Sequence, residues 1–256
     1  MSFPRLVYAA NRKIGLCCLR ILLEFGWRPV AVLTAAGKRA EYAEEMVELL
    51  KGVPLLQGKA FREQEGIHIL SSLEPDYILS VHFPYKISPE VLAIPKIGTL
   101  NLHPAYLPYN RGWHTPSWAI LEGTPYGATL HWIDEGLDTG PIALRRELEV
   151  RPSDTAHTLY QRVLALEEEL FREAVPLMVA RSLPSIPQES GGTEHAMSDL
   201  EQVQCLDLRH RYSAGDLLNL LRALTTNRWS EAAYFTVDGV RYRVQVEIRE
   251  EYDSNA

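Results

Sequence analysis

The chain has 256 residues and a formal net charge of −7, and hydrophobic and charged residues make up 46% and 23% of it. This length allows a buried core in one large domain, or in a domain with a small appendage. The composition is that of an ordinary globular protein, which disfavours a disordered chain. A negative charge without a Lys/Arg-rich block argues against a nucleic-acid partner, although local cations could hold a small anion.

Three cysteines are present without a metal-binding spacing. Cys17 and Cys18 lie in an apolar helical run and are predicted to be small core residues, while Cys205 stands alone. The chain enters its first strand without a signal-like segment, and no apolar stretch is long enough to span a bilayer. We therefore expect a cytoplasmic protein with no membrane contact.

Strand and helix patterns alternate over the first 150 residues. Strands are predicted at 6–10, 29–33, 54–56, 77–81, 99–103, 127–133 and 142–149, and helices at 15–25, 40–50, 66–72, 88–92 and 115–121. This alternation predicts an α/β fold, a mainly parallel Rossmann-like sheet with helices on both faces. Neither a GxGxxG nor a Walker sequence follows the first strand, which disfavours a nicotinamide enzyme or an NTPase.

The last third of the chain predicts a small separate module. A helical pattern over 153–180 should kink or end at Pro176, and the Pro-, Ser- and Gly-rich stretch 182–192 is the best linker candidate. A helix over 213–224 and a β-hairpin across Asp238-Gly239 follow. We expect a catalytic domain over 1–184 and a C-terminal helix and β-hairpin module over 185–256.

Two short segments carry an amide, an imidazole and a carboxylate. Asn101 and His103 are two residues apart on one predicted strand, so both side chains should leave the same face of the sheet. Pro104 should end the strand beside them. Asp138 follows in a second segment that reads as a strand end. An amide can donate to an oxyanion, an imidazole can carry a proton, and a carboxylate can orient that imidazole. This set suits acyl transfer to an amine without a covalent enzyme intermediate.

Residues 101–112 and 127–142 closely resemble the folate-dependent formyltransferase superfamily, which includes methionyl-tRNA formyltransferase, glycinamide ribonucleotide transformylase and the nucleotide-sugar N-formyltransferases. The superfamily's Asn, His and Asp fall on Asn101, His103 and Asp138. Residues 109–121 and 221–229 are similar to the nucleotide-sugar N-formyltransferases, especially those acting on dTDP-4-amino-4,6-dideoxyhexoses.

This resemblance implies a reaction and its substrates. The formyl donor would be N10-formyltetrahydrofolate, and the acceptor a nucleotide-linked amino sugar such as dTDP-4-amino-4,6-dideoxyglucose, in O-antigen or polysaccharide biosynthesis. Asn101 and His103 would stabilise the oxyanion, Asp138 would orient His103, and no metal would be needed. His131 would have a supporting structural role.

The resemblance also implies the binding residues. The folate pocket would be formed by His82, Phe83, Pro84, Tyr85 and Lys86, although both aromatic side chains could equally cover the core. Asn11, Arg12 and Lys13 precede a predicted helix start and would meet the acceptor's diphosphate, unless they form an ordinary basic turn. Tyr109 and Trp113 would stack on the sugar or the base.

Three alternatives remain open at this point. The acceptor could be methionyl-tRNA or another small amine, the chain could be a catalytically inactive nucleotide-binding regulatory protein, or it could be a hydrolase that releases formate. A homodimer is also possible, because the C-terminal hairpin offers an edge strand for a second subunit.

Overall fold

The computed structural model describes residues 3–251, and the chain folds into two compact units whose segments alternate along the sequence. Unit 1 contains residues 3–103, 128–146 and 165–188, and unit 2 contains residues 104–127, 147–164 and 189–251. The predicted arrangement had one boundary, between residues 184 and 185. Instead, segments of the two units alternate along the sequence, because the chain passes from unit 1 to unit 2 after residue 103 and again after residue 146. Residues 1–2 and 252–256 of the two predicted domains lie outside the described residues.

Unit 1 is built on a seven-stranded sheet in the order β3-β2-β1-β4-β5-β7-β8. Its strands are β1 (Leu6–Ala10), β2 (Ala31–Thr34), β3 (Leu55–Gln57), β4 (Tyr77–Val81), β5 (Gly98–His103), β7 (Gly127–Trp132) and β8 (Ile142–Glu147). The pairs from β3 to β5 are parallel, and β7 runs antiparallel to β5. The predicted mainly parallel α/β sheet is confirmed.

Both faces of the central strands are covered, which explains why β1 and β4 are buried along their whole length. The helices of this region are α1 (Arg12–Glu24), α2 (Ala43–Leu49), α3 (Gln64–Ser72), α4 (Pro89–Leu92) and the later part of α6 (Ala156–Val179). On one face, Val7 packs in a cluster with Leu70 and Val91. On the other, the Tyr8 hydroxyl donates to the Gly15 carbonyl at 2.6 Å, and Tyr77 donates to Met178 at 3.3 Å.

Two expectations for the helices can be compared with the structure. Cys18 is fully buried in α1 as predicted, and burial raises the pKa of its thiol well above the ordinary value. The expected end or kink at Pro176 is not an end, because α6 continues to Val179. Only the last turn follows the proline, so few backbone hydrogen bonds depend on it.

Unit 2 contains the predicted C-terminal helix and hairpin. Its elements are β6 (Arg111–Gly112), α5 (Thr115–Glu122), β9 (Glu194–His195), α7 (Asp199–Val203), α8 (Ala214–Ala223), β10 (Ala233–Val237) and β11 (Val240–Val244). Ser213 caps α8 by accepting from the Asp216 backbone N–H at 3.1 Å. Asp238 and Gly239 both have positive φ, as a tight hairpin turn requires. A small core forms around Leu200 and Leu224.

Within residues 3–251, no helix combines the length and apolarity that crossing a membrane requires.

Candidate active site

The carboxyl end of β5 carries two of the predicted catalytic side chains. Asn101 and His103 are two residues apart on this strand, so they leave the same face of the sheet. The antiparallel register of β5 and β7 sets Asn101 opposite His131. His103 is 7% exposed and His131 is 1% exposed. The pairing of these strands therefore brings one amide and two imidazoles together in a largely dry site.

The Asp138 carboxylate is the common partner of these three side chains. Its Oδ2 lies 3.6 Å from His103 Nε2. Its Oδ1 lies 3.4 Å from His131 Nε2 and accepts a hydrogen bond of 3.4 Å from Asn101 Nδ2. The structure thus brings together all three predicted catalytic residues, with the Asp138 side chain only 12% exposed. A carboxylate so placed attracts positive charge on His103 more strongly than it would in water.

His131 holds the Asn101 amide in one orientation. Its Nδ1 lies 2.8 Å from the Trp132 carbonyl oxygen, an acceptor, so Nδ1 carries the proton and donates. In the tautomer with its proton on Nδ1, the ring accepts at Nε2 from Asn101 Nδ2, which lies 3.2 Å away. The amide nitrogen consequently points toward His131 and Asp138, and the side-chain oxygen points elsewhere. These contacts agree with the supporting structural role that the sequence predicted for His131, and that role stays a prediction.

The loop before β8 carries Asp138 and sets the position of its side chain. The Asp134 carboxylate accepts hydrogen bonds from Gly136 N at 3.0 Å and Thr139 Oγ1 at 2.6 Å. A Cβ at Gly136 would collide with the Thr139 hydroxyl, and a Cβ at Gly140 would collide with the Trp132 carbonyl. The tight path of this loop therefore requires glycine at position 140, where the clash is with backbone, while a Cβ at position 136 would displace the Thr139 side chain.

His82 was predicted to bind folate, and its ring has a buried partner. Nε2 lies 2.9 Å and 3.0 Å from the two carboxylate oxygens of Glu167. The His82 and Glu167 side chains are 5% and 0% exposed. His82 also has a positive φ of 49°, which is uncommon for a side-chain-bearing residue. The contact with α6 gives His82 a structural role at the end of β4, and a direct folate contact stays a prediction.

The next residues of the predicted folate segment also face protein neighbours. Phe83 and Tyr85 pack edge-on against each other, with ring centroids 5.3 Å apart, and both contact Phe61. They cover the core, one of the two readings the sequence allowed. Pro84 between them is half-buried. Lys86 Nζ donates to the Glu135 carbonyl at 3.0 Å, which ties this segment to the loop that carries Asp138.

The predicted anion site lies after β1. Asn11 is 3% exposed, and its amide donates to Arg39 O and accepts from Glu41 N, both at 3.0 Å. It therefore fixes the neighbouring loop. Helix α1 begins at Arg12, so Arg12 and Lys13 lie in its first turn. The prediction that these two residues precede the helix was wrong. Asn11 occupies the N-cap position without a capping hydrogen bond from its side chain, and the helix begins three residues earlier than its apolar pattern indicates.

The remaining predicted substrate residues, Tyr109 and Trp113, belong to unit 2. Tyr109 is half-buried in the turn that its backbone N–H closes on Tyr106 O at 3.0 Å. Trp113 donates its backbone N–H to His195 O at 3.0 Å, and it is 39% exposed. An exposed indole offers area on which a sugar or a base can stack. The assignment of Tyr109 and Trp113 to the sugar or base stays a prediction.

One contact of the site was not predicted from the sequence. Gln188 Nε2 lies 2.8 Å from both the Asp138 and the Gly140 carbonyl oxygens. Gln188 is fifty residues from Asp138, in a stretch whose composition predicted a linker, and no motif marks it. Among residues 3–251, no group of three or more His, Cys, Asp or Glu side chains could hold a metal ion.

Two family models match the chain. The model for formyl transferases matches residues 30–175, which include Asn101, His103, His131 and Asp138. The chain belongs to the formyltransferase family. The model for the N-formyltransferase dimerization C-terminal domain matches residues 199–250 of this formyltransferase. The resemblance that the sequence motifs predicted is confirmed.

The individual relatives of this chain include both sugar and methionyl-tRNA formyltransferases. The dTDP-4-amino-4,6-dideoxyglucose formyltransferase of Mycobacterium bovis is 33% identical over 181 residues, which cover 71% of this chain and 76% of that one. Methionyl-tRNA formyltransferases of several bacteria also match.

Solved structures of formyltransferases are also similar to this chain. A likely sugar N-formyltransferase from Mycobacterium tuberculosis superposes with a TM-score of 0.79 at 26% identity, covering 97% of this chain and 99% of that one. The formyltransferase PseJ from Anoxybacillus kamchatkensis has a TM-score of 0.56 at 31% identity, with coverage of 75% and 98%. Its structure contains UDP-4,6-dideoxy-4-formamido-L-AltNAc and tetrahydrofolate.

Proposed function

We propose that this formyltransferase transfers the formyl group of N10-formyltetrahydrofolate to the amine of a nucleotide-linked amino sugar, with dTDP-4-amino-4,6-dideoxyglucose as the acceptor. The observation that carries the proposal is the convergence of Asn101, His103 and His131 on the Asp138 carboxylate. The named activity of the 33%-identical relative supports the choice of acceptor.

The proposed reaction develops a negative charge on one oxygen, and hydrogen-bond donors must stabilise it. The neutral amine attacks the formyl carbon, and the carbonyl oxygen becomes an oxyanion. Asn101 Nδ2 lies 3.2 Å from His131 Nε2 and 3.4 Å from Asp138 Oδ1, so the longer contact to Asp138 is the one that its N–H exchanges for the oxyanion in the proposed reaction. Protonated His103 supplies a second donor. Because donors fixed in a water-poor site need no reorganisation, they stabilise the transition state more than water would.

Asp138 supports His103 mainly through its charge. The 3.6 Å separation of His103 Nε2 and Asp138 Oδ2 exceeds a direct hydrogen bond. In the proposed mechanism a water bridges this gap and passes the amine's proton between the two groups. Collapse of the tetrahedral species then breaks the bond between the formyl carbon and N10 of the folate, N10 takes up a proton equivalent to the one that the amine lost, and tetrahydrofolate is released. The formyl group remains on the sugar amine.

The donor side of the proposal rests on the segment after β4. Ligands bind open α/β sheets at the carboxyl ends of their strands, and His82–Lys86 follows β4 at that edge. The Glu167 contact of His82 and the aromatic packing of Phe83 and Tyr85 hold the segment's path. We propose that the main-chain groups of this segment read the polar edge of a pterin. The tetrahydrofolate in the structure of the 31%-identical relative supports a folate donor.

The acceptor side rests on the first turn of α1. That turn holds Arg12 and Lys13 and no acidic residue. Cations at a helix N-terminus are disfavoured by the helix dipole, and an anion placed there would relieve that repulsion. The diphosphate of the nucleotide sugar supplies such an anion. Asn11 shapes this loop through Arg39 and Glu41, while Tyr109 and Trp113 are proposed for the sugar or base.

We also propose a cytoplasmic homodimer that assembles through unit 2. The dimerization-domain match over residues 199–250 supports this assembly. Leu218 on α8 and Val240 and Tyr242 on β11 are 52%, 52% and 47% exposed, and such apolar side chains suit a subunit contact. Size-exclusion chromatography with light scattering should give twice the chain mass, and a monomer at all concentrations would contradict it.

An acceptor panel tests the proposed function. Purified protein is incubated with N10-formyltetrahydrofolate and a set of dTDP- and UDP-amino sugars, methionyl-tRNA and simple amines. We expect the mass of a dTDP-4-amino sugar to increase by one formyl group. Formylation of tRNA alone would replace the acceptor, formate release without an acceptor would indicate a hydrolase, and no turnover of the donor would indicate an inactive binding protein.

A further inference from the structure

The backbone at Asp138 is in a conformation that its own side chain disfavours. Asp138 has a φ of 52°, in the left-handed region. Residues with a Cβ are uncommon in this region, and although aspartate enters it more readily than most, contacts around the loop help to hold it there. The direction of the Asp138 carboxylate depends on this conformation, so the contacts that hold the loop also hold the carboxylate between Asn101 and His103.

Gln188 supplies two of those contacts through one atom. Its Nε2 donates to the carbonyl oxygens of Asp138 and Gly140, each at 2.8 Å. An amide nitrogen has two N–H groups, and each carbonyl takes one of them. The reversed amide would turn its oxygen toward two other oxygens, so these contacts fix the side chain's orientation.

The chain segment that carries Gln188 is itself fixed against the sheet. Ile142 and Ile186 exchange two backbone hydrogen bonds, of 2.7 Å and 3.0 Å. Trp132 Nε1 donates to the Pro184 carbonyl at 2.8 Å. Gln188 follows two residues after the first of these anchors. The stretch whose composition predicted a flexible linker is therefore an anchored strap on unit 1.

We propose that Gln188 is a positioning residue for Asp138. It holds the carbonyls on both sides of Thr139, which keeps the Asp138 carboxylate within reach of Asn101, His103 and His131. This inference rests on the proposed formyl transfer, in which Asp138 supports the two oxyanion donors. Both of these contacts are to main-chain atoms of the loop, so Gln188 acts on the reaction through Asp138.

Kinetics of Gln188→Ala and Gln188→Glu test this role, with Gln161→Ala as the matched control on the exposed side of α6. We expect kcat to fall by about tenfold to a hundredfold in both Gln188 variants, because small displacements of a reacting group have effects of that order. KM for either substrate should change much less. The Glu variant keeps the size but opposes two carbonyls with oxygen, so a merely space-filling role would survive it. Unchanged kcat, or a change in KM alone, would overturn the proposal.

A double-mutant cycle separates positioning from general stability. If Gln188 acts through Asp138, adding Gln188→Ala to Asp138→Ala should lower the residual single-turnover rate little further. An equal loss in both backgrounds would mean that Gln188 acts elsewhere, and would overturn the proposal.

Hydrogen–deuterium exchange gives a readout that needs no turnover. Peptides covering residues 134–142 should exchange faster in Gln188→Ala and Gln188→Glu than in the wild type, and normally in Gln161→Ala. Unchanged exchange would overturn the positioning role. If the wild type formylates no acceptor, the proposed function fails, and this measurement still decides whether Gln188 holds the loop.

Discussion

Asn101 Nδ2 lies 3.2 Å from His131 Nε2, across the antiparallel pair of β5 and β7. Because His131 Nδ1 faces the Trp132 carbonyl, the ring presents an acceptor to the amide. A buried imidazole thus decides which end of Asn101 faces the reacting group. Reversal of the amide would present an oxygen to an oxyanion, where repulsion would replace stabilisation.

The first prediction follows from this contact. His131→Ala should lower kcat by about tenfold to a hundredfold, less than removal of an oxyanion donor itself, because Asn101 remains but its orientation is lost. Steady-state kinetics with both substrates would measure it. His68→Ala, at an exposed position of α3, is the control and should leave kcat unchanged. A normal kcat in folded His131→Ala would show that Asn101 keeps its orientation without this ring.

The second prediction concerns the glycine after Thr139. Gly140→Ala places a Cβ against the Trp132 backbone carbonyl, so the loop carrying Asp138 must shift. We expect a lower melting temperature and a kcat reduced at least tenfold, by the same sensitivity to displacement. The control is Gly215→Ala in α8, where a Cβ meets only a distant Ser213 oxygen at 3.9 Å. That change should be neutral or stabilise by up to about 1 kcal/mol. Equal behaviour of the two variants would contradict the account of the loop.

The third prediction concerns the acceptor's diphosphate. The double variant Arg12→Ala with Lys13→Ala should raise KM for the sugar nucleotide much more than KM for the folate. Because neither residue belongs to the catalytic set, kcat should fall less than in His103→Ala. Arg20→Ala with Lys51→Ala removes two exposed cations elsewhere and should leave both constants unchanged. An unchanged acceptor KM in the first variant would move the diphosphate to another part of the protein.

The fourth prediction concerns the donor. A non-reactive folate analogue should raise the melting temperature, because a ligand that binds only the folded state stabilises it by about 2.7 kcal/mol at a hundredfold excess over Kd. Differential scanning fluorimetry over a concentration series would measure the shift, with a nicotinamide cofactor as the control ligand. Protection by the nicotinamide cofactor and none by the folate would argue against the donor assignment.

Much of the fold could be predicted because its signals are local. The apolar runs of β1 and β4 and the Asp238-Gly239 hairpin lie where the sequence patterns placed them. The two interleaved units could not be predicted, because they depend on contacts between segments far apart in the chain. The strap ending at Gln188 was misjudged for the same reason. Its composition is that of a linker, and only long-range contacts, the pairing of Ile186 with Ile142 and the hydrogen bond from Trp132 to Pro184, show otherwise.

The candidate site shows the same division. Asn101, His103 and Asp138 could be predicted because they stand in recognisable motifs and the strand period sets the direction of the first two. His131 needed the β5–β7 register, since its role comes from lying opposite Asn101. The contact of His82 with Glu167 spans 85 residues, and no local pattern announces it.

The central claim is that His103 and Asn101 stabilise the oxyanion of a formyl transfer, and single-turnover formylation of the sugar nucleotide, followed by mass spectrometry, tests it most directly. With excess enzyme and N10-formyltetrahydrofolate, the wild type should convert dTDP-4-amino-4,6-dideoxyglucose to its formamido product. His103→Ala and Asn101→Ala should each be slower by about a hundredfold to a thousandfold, with normal melting temperatures and folate protection. A well-folded His103→Ala enzyme that formylates the sugar at a near-normal rate would contradict the account.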